Sequence, residues 1–338
     1  MRRSMTTTKK LLVARAIFPD IVEALRLSAG VAEVADNPTD EVWSRDALLG
    51  RLDGCDGLFC TGSERIDAAL LDACPALKAV STMSVGTNHI DVDACSARGV
   101  LVANTPDVLT DTTADLAFAL LLACARRVGE GERYLREGRW TKWHYDQLMG
   151  ADVHGATLGI LGMGRIGQAV ARRGALGFGM RVIYHNRSRL PAEQEAPLGA
   201  RWVEKAALLA EADHLVLVLP YSAATHHAIG AAELAQMKPG ATLVNIARGG
   251  IVDDAALARS LAEGRIGAAG IDVFEGEPHV TPALLAAPNA VLTPHIGSAS
   301  MKTRRAMAQL AADNLLAALG LGDGRHLPAI VNPQAARR

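Results

Sequence analysis

Three polar side chains in the second half of the chain, Arg248, Glu277 and His295, have types suited to the reduction of a carbonyl group. Each follows an apolar segment that we expect to form a β-strand, the three segments being 242–246, 267–273 and 290–293. Ligands of open α/β sheets bind beyond the carboxyl ends of the strands, so these side chains should meet at one edge. An arginine can bind a carboxylate and polarise the adjacent carbonyl, and a histidine can protonate its oxygen. A carboxylate on the other ring nitrogen favours the protonated histidine.

Each of these residues also has a structural interpretation. An arginine after a strand is often a surface cation, Glu277 precedes Pro278 and could begin a turn, and His295 could mark the entry to a helix. Position alone leaves both interpretations open. Other histidines lack comparable neighbours, and we interpret these as structural: His89, His144, His185, His214, His226 and His227.

A glycine-rich turn lies upstream of these residues, where Gly162, Gly164 and Gly167 form the pattern G-x-G-x-x-G. The apolar segment 157–161 precedes it, a helix-forming segment follows it, and a second apolar segment lies at residues 180–184. In a dinucleotide site the first glycine permits the turn, the second lets the pyrophosphate approach, and the third lets the helix pack on the sheet. The helix N-terminus then offers free N–H groups to the phosphates. This context predicts a dinucleotide-binding βαβ unit.

The residues after the second strand of this unit indicate which dinucleotide binds. An NAD site usually has Asp or Glu there, to accept hydrogen bonds from the ribose hydroxyls. Here Tyr184 is followed by the run His185-Asn186-Arg187-Ser188-Arg189, with no acidic residue before Glu193. Arg187, with help from Ser188 and Arg189, would pair with the 2′-phosphate of NADP. We therefore predict a preference for NADP(H), with NAD(H) possible. The alternative is a solvated basic loop.

Short apolar segments alternate with helix-like segments along the whole chain. They lie at residues 10–17, 57–60, 77–81 and 100–103, and then at 157–161, 180–184, 215–219, 242–246, 267–273 and 290–293. This alternation is typical of parallel strands joined by crossover helices. Because it restarts after residue 150, we predict an α/β fold of two doubly wound parallel-sheet domains with a cleft between them.

Two helices should mark the domain boundaries. Residues 112–115 have the form of a capping box, and apolar residues at helical spacing follow them. Residues 301–319 are again amphipathic and should return the chain to the first domain. We predict one domain from residues 1–108 and 300–338, and an inserted nucleotide-binding domain from residues 109–299.

Composition excludes several classes of function. The 338 residues are 49% apolar and 21% charged, and the net charge of −1 gives no general attraction to nucleic acid or anionic membranes. The five cysteines form no C-x-x-C pair, so we expect reduced thiols and no metal site. The most apolar run, residues 116–125, is far shorter than a membrane span. We expect a cytoplasmic protein that binds neither nucleic acid nor membrane.

At the level of motifs the sequence resembles the D-2-hydroxyacid dehydrogenase family. The resemblance spans nearly the whole chain and is carried by residues 162–167, 245–254 (NIARGGIVDD), 270–278 (GIDVFEGEP) and 293–298 (TPHIGS). Residues 104–125, with 139–141 and Trp143, resemble the glyoxylate/hydroxypyruvate reductase branch. Residues 150–155 and 185–189 resemble its bacterial 2-ketogluconate reductases.

The resemblance implies a fold, an assembly and a set of residue roles. It implies a flavodoxin-like substrate domain, a Rossmann domain and a homodimer. It makes Arg248 the substrate anchor, His295 the proton donor and Glu277 its partner. In the loop 84–87, Val85 and Gly86 would hold the substrate carboxylate through backbone N–H groups, although a plain strand-to-helix turn would use the same glycine.

The resemblance also implies a cofactor site and an interface residue. The implied cofactor-binding residues are Thr113, Gly162, Gly164, Arg165, Ile166, Gly167, Asn186, Arg187, Ser188, Pro220, Thr225, Ala247, Asp272 and Gly297. Asp272 would meet the nicotinamide amide. Trp140 or Trp143 would reach the site of a neighbouring subunit, unless they serve ordinary packing.

The expected activity is NADPH-dependent reduction of small 2-ketoacids, namely glyoxylate, hydroxypyruvate and 2-keto-D-gluconate, to D-2-hydroxyacids. One alternative is a D-3-phosphoglycerate-type dehydrogenase, although we expect no room for a regulatory domain after residue 320. Another is a non-catalytic, nucleotide-sensing corepressor on the same fold. The presence of Arg248, Glu277 and His295 together argues against the corepressor.

Overall fold

The computed structural model describes residues 8–321 and 328–337. Residues 1–7, 322–327 and 338, which the sequence analysis assigned to the first domain, lie outside the described residues. The chain divides into two compact units, one formed by Met1–Leu109 with Ser300–Arg338 and the other by Thr110–Ala299. Among the helices of the described residues, none combines the length and the apolar character that a membrane span requires.

The strands and helices alternate along most of the chain. The strands are β1 (Lys9–Val13), β2 (Val31–Asp36), β3 (Gly57–Cys60), β4 (Ala79–Thr82), β5 (Leu101–Ala103), β6 (Thr157–Leu161), β7 (Arg181–His185), β8 (Arg201–Trp202), β9 (His214–Leu217), β10 (Thr242–Asn245), β11 (Ala268–Ile271) and β12 (Ala290–Leu292). The helices are α1 (Pro19–Arg26), α2 (Arg45–Leu52), α3 (Ala68–Ala73), α4 (Val92–Ala97), α5 (Thr110–Ala125), α6 (Val128–Arg136), α7 (Arg165–Arg172), α8 (Ala192–Glu195), α9 (Lys205–Glu211), α10 (Ala231–Leu234), α11 (Asp254–Ala262), α12 (Pro282–Leu285) and α13 (Met301–Ala318). A π-helical turn, Arg173–Gly177, continues α7.

The first unit contains a parallel sheet in the order β2-β1-β3-β4-β5. Alternate residues of its strands point to opposite faces, so each face has its own core. Leu12 and Leu58 belong to the core that includes residues of α2 and α3, whereas Leu11 and Phe59 belong to the core that includes α1 and α13. Helices therefore cover both faces, and β3 and β4 are fully buried.

The second unit contains a parallel sheet in the order β12-β11-β10-β9-β6-β7-β8. The chain runs from β6 outward to β8 and then returns to β9 on the other side of β6. This reversal is the topological switch point at which doubly wound sheets bind ligands. Helix α5 contributes to the core on one face, and α9 and α11 contribute to the core on the other. The two parallel-sheet α/β domains predicted from the sequence are therefore confirmed.

Several element boundaries predicted from the sequence are wrong. Strands β2 and β8 were not predicted, because both are edge strands with few buried residues. The predicted segments 10–17, 215–219 and 267–273 end earlier as strands, since their last residues already belong to loops at the sheet edge. The capping box at residues 112–115 is also wrong, because α5 begins at Thr110 and places these residues inside the helix.

Candidate active site

The glycine-rich turn between β6 and α7 is shaped by close backbone contacts. Gly162 has φ +104°, and a Cβ there would lie 2.7 Å from the backbone of Leu219. A Cβ on Gly167 would lie 2.3 Å from the carbonyl oxygen of Gly162, so only glycine lets α7 pack this closely on the turn. At Gly164 a Cβ would meet nothing within 4 Å. Open space therefore faces the turn where the pyrophosphate of a dinucleotide would approach.

The N-terminus of α7 presents backbone N–H groups to this open space as hydrogen-bond donors. Its N-cap residue is Gly164, so no side chain caps the first N–H groups of the helix. Uncapped N–H groups at a helix start bind phosphate oxygens, helped by the positive end of the helix dipole. Arg165 is exposed and Ile166 is half-buried beside the turn. The residues present thus fit a dinucleotide phosphate group.

Asn186, at the end of β7, is tied to the glycine-rich turn. Its Oδ1 accepts a hydrogen bond from the N–H of Met163 at 2.7 Å, and its carbonyl oxygen accepts one from Trp202 Nε1 at 3.0 Å. The sequence position of Asn186 indicates a role in cofactor choice only, and no pattern in the sequence reveals this contact with the turn. Arg187 and Ser188 follow it and are exposed.

Arg189 is held by an acidic residue that the sequence analysis did not consider. Its guanidinium donates to Glu195, with Nη2 at 2.6 Å from Oε2, and Tyr184 donates to Glu195 Oε1 at 2.6 Å. The Arg189 and Tyr184 contacts lower the pKa of Glu195 to about 2. Arg189 is thus engaged by a carboxylate within this loop, whereas Arg187 is exposed.

His295 and Glu277 form a direct pair in the second unit. His295 Nδ1 lies 2.8 Å from Glu277 Oε2, and Glu277 Oε1 accepts from the N–H of Phe274 at 2.8 Å. Burial raises the pKa of the Glu277 carboxyl, but the hydrogen bond and charge of His295 outweigh it, so that pKa lies below its ordinary value. Glu277 is therefore ionised at neutral pH and engages Nδ1 of His295, so Nε2 is the ring nitrogen that takes no part in this pair.

Arg248 follows β10 and is largely enclosed. Its Nη1 donates to the carbonyl oxygen of Ala247 at 2.7 Å, and its own carbonyl oxygen accepts from Asn245 Nδ2 at 3.2 Å. Burial lowers the pKa of the Arg248 guanidinium, and the charge of Glu277 opposes that shift. An arginine nevertheless stays charged in a protein, so this side chain is a partly desolvated cation suited to an anionic ligand.

Asp272, just after β11, organises the turn that carries His295. It is 1% exposed. Its Oδ1 accepts from Thr293 Oγ1 at 2.6 Å and from the N–H of Ile296 at 2.8 Å, and its Oδ2 accepts from the N–H of Gly297 at 2.8 Å. Burial raises the pKa of Asp272, against the lowering effect of the Thr293 hydrogen bond. No pattern in the sequence reveals this role. Both carboxylate oxygens accept hydrogen bonds within the turn, so a nicotinamide amide would have to share an oxygen that is already engaged.

The other predicted cofactor-binding residues of the second unit lie near this edge of the sheet. Thr113 is buried on α5, and a Cβ on Gly297 would lie 3.5 Å from its Cγ2. Ala247 is buried beside Arg248. Pro220 and Thr225 share a loop after β9, where Thr225 Oγ1 donates to the carbonyl oxygen of Pro220 at 2.9 Å.

In the first unit, the loop after β4 carries Val85 and Gly86. The hydroxyl of Ser84 donates to the carbonyl oxygen of Gly86 at 2.7 Å, and Asn104 Nδ2 donates to that of Val85 at 2.7 Å. These bonds occupy carbonyl groups and leave the loop's N–H groups as its donors. His89, interpreted as structural from the sequence, lies with Nε2 3.1 Å from Thr82 Oγ1 and so supports the same loop.

Comparison with known proteins gives one consistent result. Residues 118–297 match the family model described as the NAD binding domain of D-isomer specific 2-hydroxyacid dehydrogenase. A glyoxylate reductase of Thermococcus onnurineus is 46% identical over 333 residues, which cover 96% of each chain. Glyoxylate/hydroxypyruvate reductase B of Klebsiella pneumoniae is 43% identical over 325 residues, covering 96% of this chain and 98% of its own.

A solved structure agrees with these sequence matches. The crystal structure of an NADPH-dependent glyoxylate/hydroxypyruvate reductase from Sinorhizobium meliloti, in complex with NADP and malonate, has a TM-score of 0.83 and 35% identity. The match covers 98% of this chain and 99% of that one. Sequence and fold therefore agree, and the chain belongs to the D-isomer specific 2-hydroxyacid dehydrogenase family.

Proposed function

We propose that the protein reduces glyoxylate and hydroxypyruvate to the corresponding 2-hydroxyacids, with NADPH as the preferred reductant. The observation that carries this proposal is the His295–Glu277 pair, 2.8 Å apart, in the same unit as the enclosed cation Arg248. Full-length similarity to proteins named glyoxylate reductase and glyoxylate/hydroxypyruvate reductase supports the substrate class.

We propose a separate role in this reaction for each of the following residues. The nicotinamide cofactor, when bound, supplies a hydride to C2 of the ketoacid. His295 donates a proton from Nε2 to the substrate oxygen, and the carboxylate of Glu277 stabilises the charged imidazole beforehand. Arg248 binds the substrate carboxylate and draws electron density from the carbonyl. In the first unit, the N–H groups of Val85 and Gly86 would bind a carboxylate oxygen of the substrate.

The cofactor would be held by the glycine-rich turn and the loop that follows β7. The N–H groups at the start of α7 would bind the pyrophosphate, and Thr113, Pro220, Thr225, Ala247, Asp272 and Gly297 would line the remaining site. The preference for NADPH rests on Arg187 and Ser188, which are exposed and lie beside Asn186 where an NAD site usually has an acid. The name of the Sinorhizobium meliloti enzyme and its bound NADP support this choice.

A double substitution tests the cofactor proposal. Asn186→Asp with Arg187→Ala should shift the NADPH/NADH ratio of kcat/KM toward NADH, because a carboxylate repels a 2′-phosphate and accepts from a ribose hydroxyl. The aspartate keeps an oxygen for the Met163 N–H, so the turn itself should stay intact. An exposed arginine elsewhere, Arg265→Ala, is the control. An unchanged ratio in the double variant would refute the role of Arg187.

We also propose that unit 1–108 with 300–338 is the substrate domain and that unit 109–299 binds the cofactor.

We further propose that the protein is a homodimer. The segment that includes α6 and the residues just after it exposes several apolar side chains, among them Trp143 at 74% and Tyr145 at 87%. With Trp140 and Tyr134 they line an open groove of about 400 Å³. Exposed apolar surface of this kind is typical of an interface, and a second copy is the proposed occupant. Sedimentation velocity should give a dimer for the wild type and a monomer for Trp143→Glu.

The function is tested by initial rates with NADPH and NADH on glyoxylate, hydroxypyruvate and 2-keto-D-gluconate, with pyruvate as a small apolar control. We propose 2-keto-D-gluconate as a third substrate on the resemblance of residues 150–155 and 185–189. His295→Ala should lower turnover about 10²- to 10⁴-fold, the usual effect of removing a general acid. Wild-type turnover in that variant would exclude His295 as the proton donor. No turnover with any of these ketoacids would refute the proposed function.

A further inference from the structure

A second group of ionisable side chains lies outside the proposed catalytic residues. His226 and His227 belong to the loop between β9 and α10, and Glu275 belongs to the loop after β11. One ligand atom from each of the three residues lies within 4.8 Å of those of the other two. His227 Nε2 lies 2.8 Å from Glu275 Oε2, and His226 Nε2 lies 4.0 Å from Glu275 Oε1. The two histidines thus face the two oxygens of the Glu275 carboxylate, one each.

The backbone on both sides of this cluster is fixed. The N–H of His227 donates to the carbonyl oxygen of Gly250 at 2.7 Å, and Ile229 continues the contact by donating to Ile251 at 3.1 Å. The N–H of Glu275 donates to Oδ2 of the buried Asp254 at 3.1 Å. The three side chains therefore project from two anchored loops and not from a freely moving segment.

One histidine is already oriented for ligation by a further hydrogen-bond partner. His226 Nδ1 lies 3.2 Å from the hydroxyl of Tyr221, which commits that nitrogen and turns Nε2 toward Glu275. Metal-binding histidines in proteins usually make such a contact through the nitrogen that does not bind the metal, and it fixes the tautomer. The backbone of Gly250 packs against both rings, since a Cβ there would lie 3.0 Å from Tyr221 and 3.4 Å from His226.

We propose that His226, His227 and Glu275 bind one divalent transition-metal ion of the zinc type. Two imidazoles and one carboxylate are a ligand set that Zn²⁺ accepts, with a fourth position for water. With bonds of about 2.0–2.1 Å, tetrahedral ligand atoms lie about 3.3 Å apart. Here one ligand atom from each residue lies within 4.8 Å of the other two, so the side chains have to draw together around the ion. The two imidazole rings, stacked at 3.9 Å, have to tilt toward the ion.

Exposure makes this adjustment feasible. The side chains of His226, His227 and Glu275 are 41%, 37% and 46% exposed, so they can turn toward one another without disturbing a core, and an ion can reach them from solvent. The chain's five cysteines are buried and do not compete for a soft metal. This proposal departs from the sequence analysis, which interpreted His226 and His227 as structural and expected no metal site. It does not depend on the proposed reductase function.

The test measures zinc affinity of the full chain by competition with a chromophoric chelator. We expect one equivalent of Zn²⁺ per chain, with Mg²⁺ not competing because imidazole is a poor ligand for that hard ion. His227→Ala and Glu275→Gln should each weaken binding by more than about tenfold, since each removes a ligand, and Tyr221→Phe should weaken it by about tenfold. His279→Ala removes an exposed histidine from the same loop as Glu275 and should leave the affinity unchanged.

Several results would overturn the proposal. The first is the absence of stoichiometric zinc binding by the wild type. The second is wild-type affinity in both His227→Ala and Glu275→Gln. The third is a loss of affinity in His279→Ala as large as that in His227→Ala. Far-ultraviolet circular dichroism of each variant establishes that it is folded. Should His227→Ala fail to fold, Glu275→Gln and Tyr221→Phe decide the question, because neither removes buried apolar surface.

Discussion

Replacing Glu277 by glutamine removes the negative charge beside His295 and changes little else in shape. Glu277 now accepts two hydrogen bonds, from His295 Nδ1 and from the N–H of Phe274, both at 2.8 Å. Both partners are donors when the imidazole is protonated. The glutamine amide has one acceptor oxygen and one donor nitrogen. Its oxygen can accept from one of these two donors, and its NH₂ group then faces the other donor, with which it cannot form a hydrogen bond.

The size of the effect follows from these two losses. The attraction between unit charges about 4 Å apart is about 1 kcal/mol in water and about 4 kcal/mol at a protein surface. Because His295 and Glu277 are 48% and 33% exposed, the lower part of this range applies, about 1–2 kcal/mol. The unsatisfied donor adds about 1–2 kcal/mol. Together, about 2–4 kcal/mol corresponds to a roughly 30- to 1,000-fold loss of kcat/KM.

The assay is the pH dependence of kcat/KM for glyoxylate reduction in the wild type, Glu277→Gln and the control Glu263→Gln. Glu263 is an exposed residue paired with Arg265. We expect kcat/KM of Glu277→Gln to lie about 30- to 1,000-fold below that of the wild type across the profile, and kcat/KM of Glu263→Gln to stay within threefold of it. A value within threefold of wild type in Glu277→Gln would falsify the assignment of Glu277 as the partner of the proton donor.

Three further substitutions test other parts of the molecule. Arg248→Ala should raise KM and lower kcat together in steady-state kinetics, and a change in KM alone would limit Arg248 to substrate binding. Gly167→Ala should lower the free energy of unfolding in urea by about 1–3 kcal/mol and weaken NADPH binding, because the added methyl group meets the Gly162 carbonyl oxygen. An unchanged urea midpoint would contradict this tight packing. Arg189 and Tyr184 lower the pKa of Glu195 to about 2 from 4.5, so this carboxylate stabilises the fold above about pH 4.5 and loses that effect as the pH falls toward 2. Glu195→Gln should therefore flatten the loss of stability across that interval, and an unaltered pH dependence would contradict it.

The sequence predicted the buried strands of the fold well. Strands β3 and β6 have the predicted bounds, because their continuous apolar runs are covered on both faces and end at turn-forming residues. Edge strands β2 and β8 were missed because half-covered strands lack such runs. Helix α6 was missed because two of its nine residues, Gly129 and Gly131, weaken the helical signal of the segment.

The types and sequence positions of the candidate site residues could be predicted from the sequence, but the hydrogen bonds that join them to other loops could not. The candidate residues after strands β10, β11 and β12 were predicted because parallel topology directs the carboxyl ends of these strands to one edge. The structure adds the contacts between residues distant in sequence, such as the Asn186 side chain on the Met163 N–H and the Asp272 carboxylate on the turn of His295. Such hydrogen bonds leave no periodic pattern in a sequence, because each depends on two loops that meet only after folding.

The hydrogen bond from Met163 to Asn186 limits how cofactor preference can evolve or be engineered. Under the proposed function, a substitution at Asn186 would act on the ribose end of the cofactor and, through that bond, on the turn proposed to bind its phosphates. Aspartate preserves an acceptor oxygen and is a permitted single step, whereas alanine would loosen the turn before any new preference is gained. Mutational paths between the two dinucleotides should therefore pass through acceptor-bearing side chains at this position, and libraries that randomise it freely should lose most of their active members.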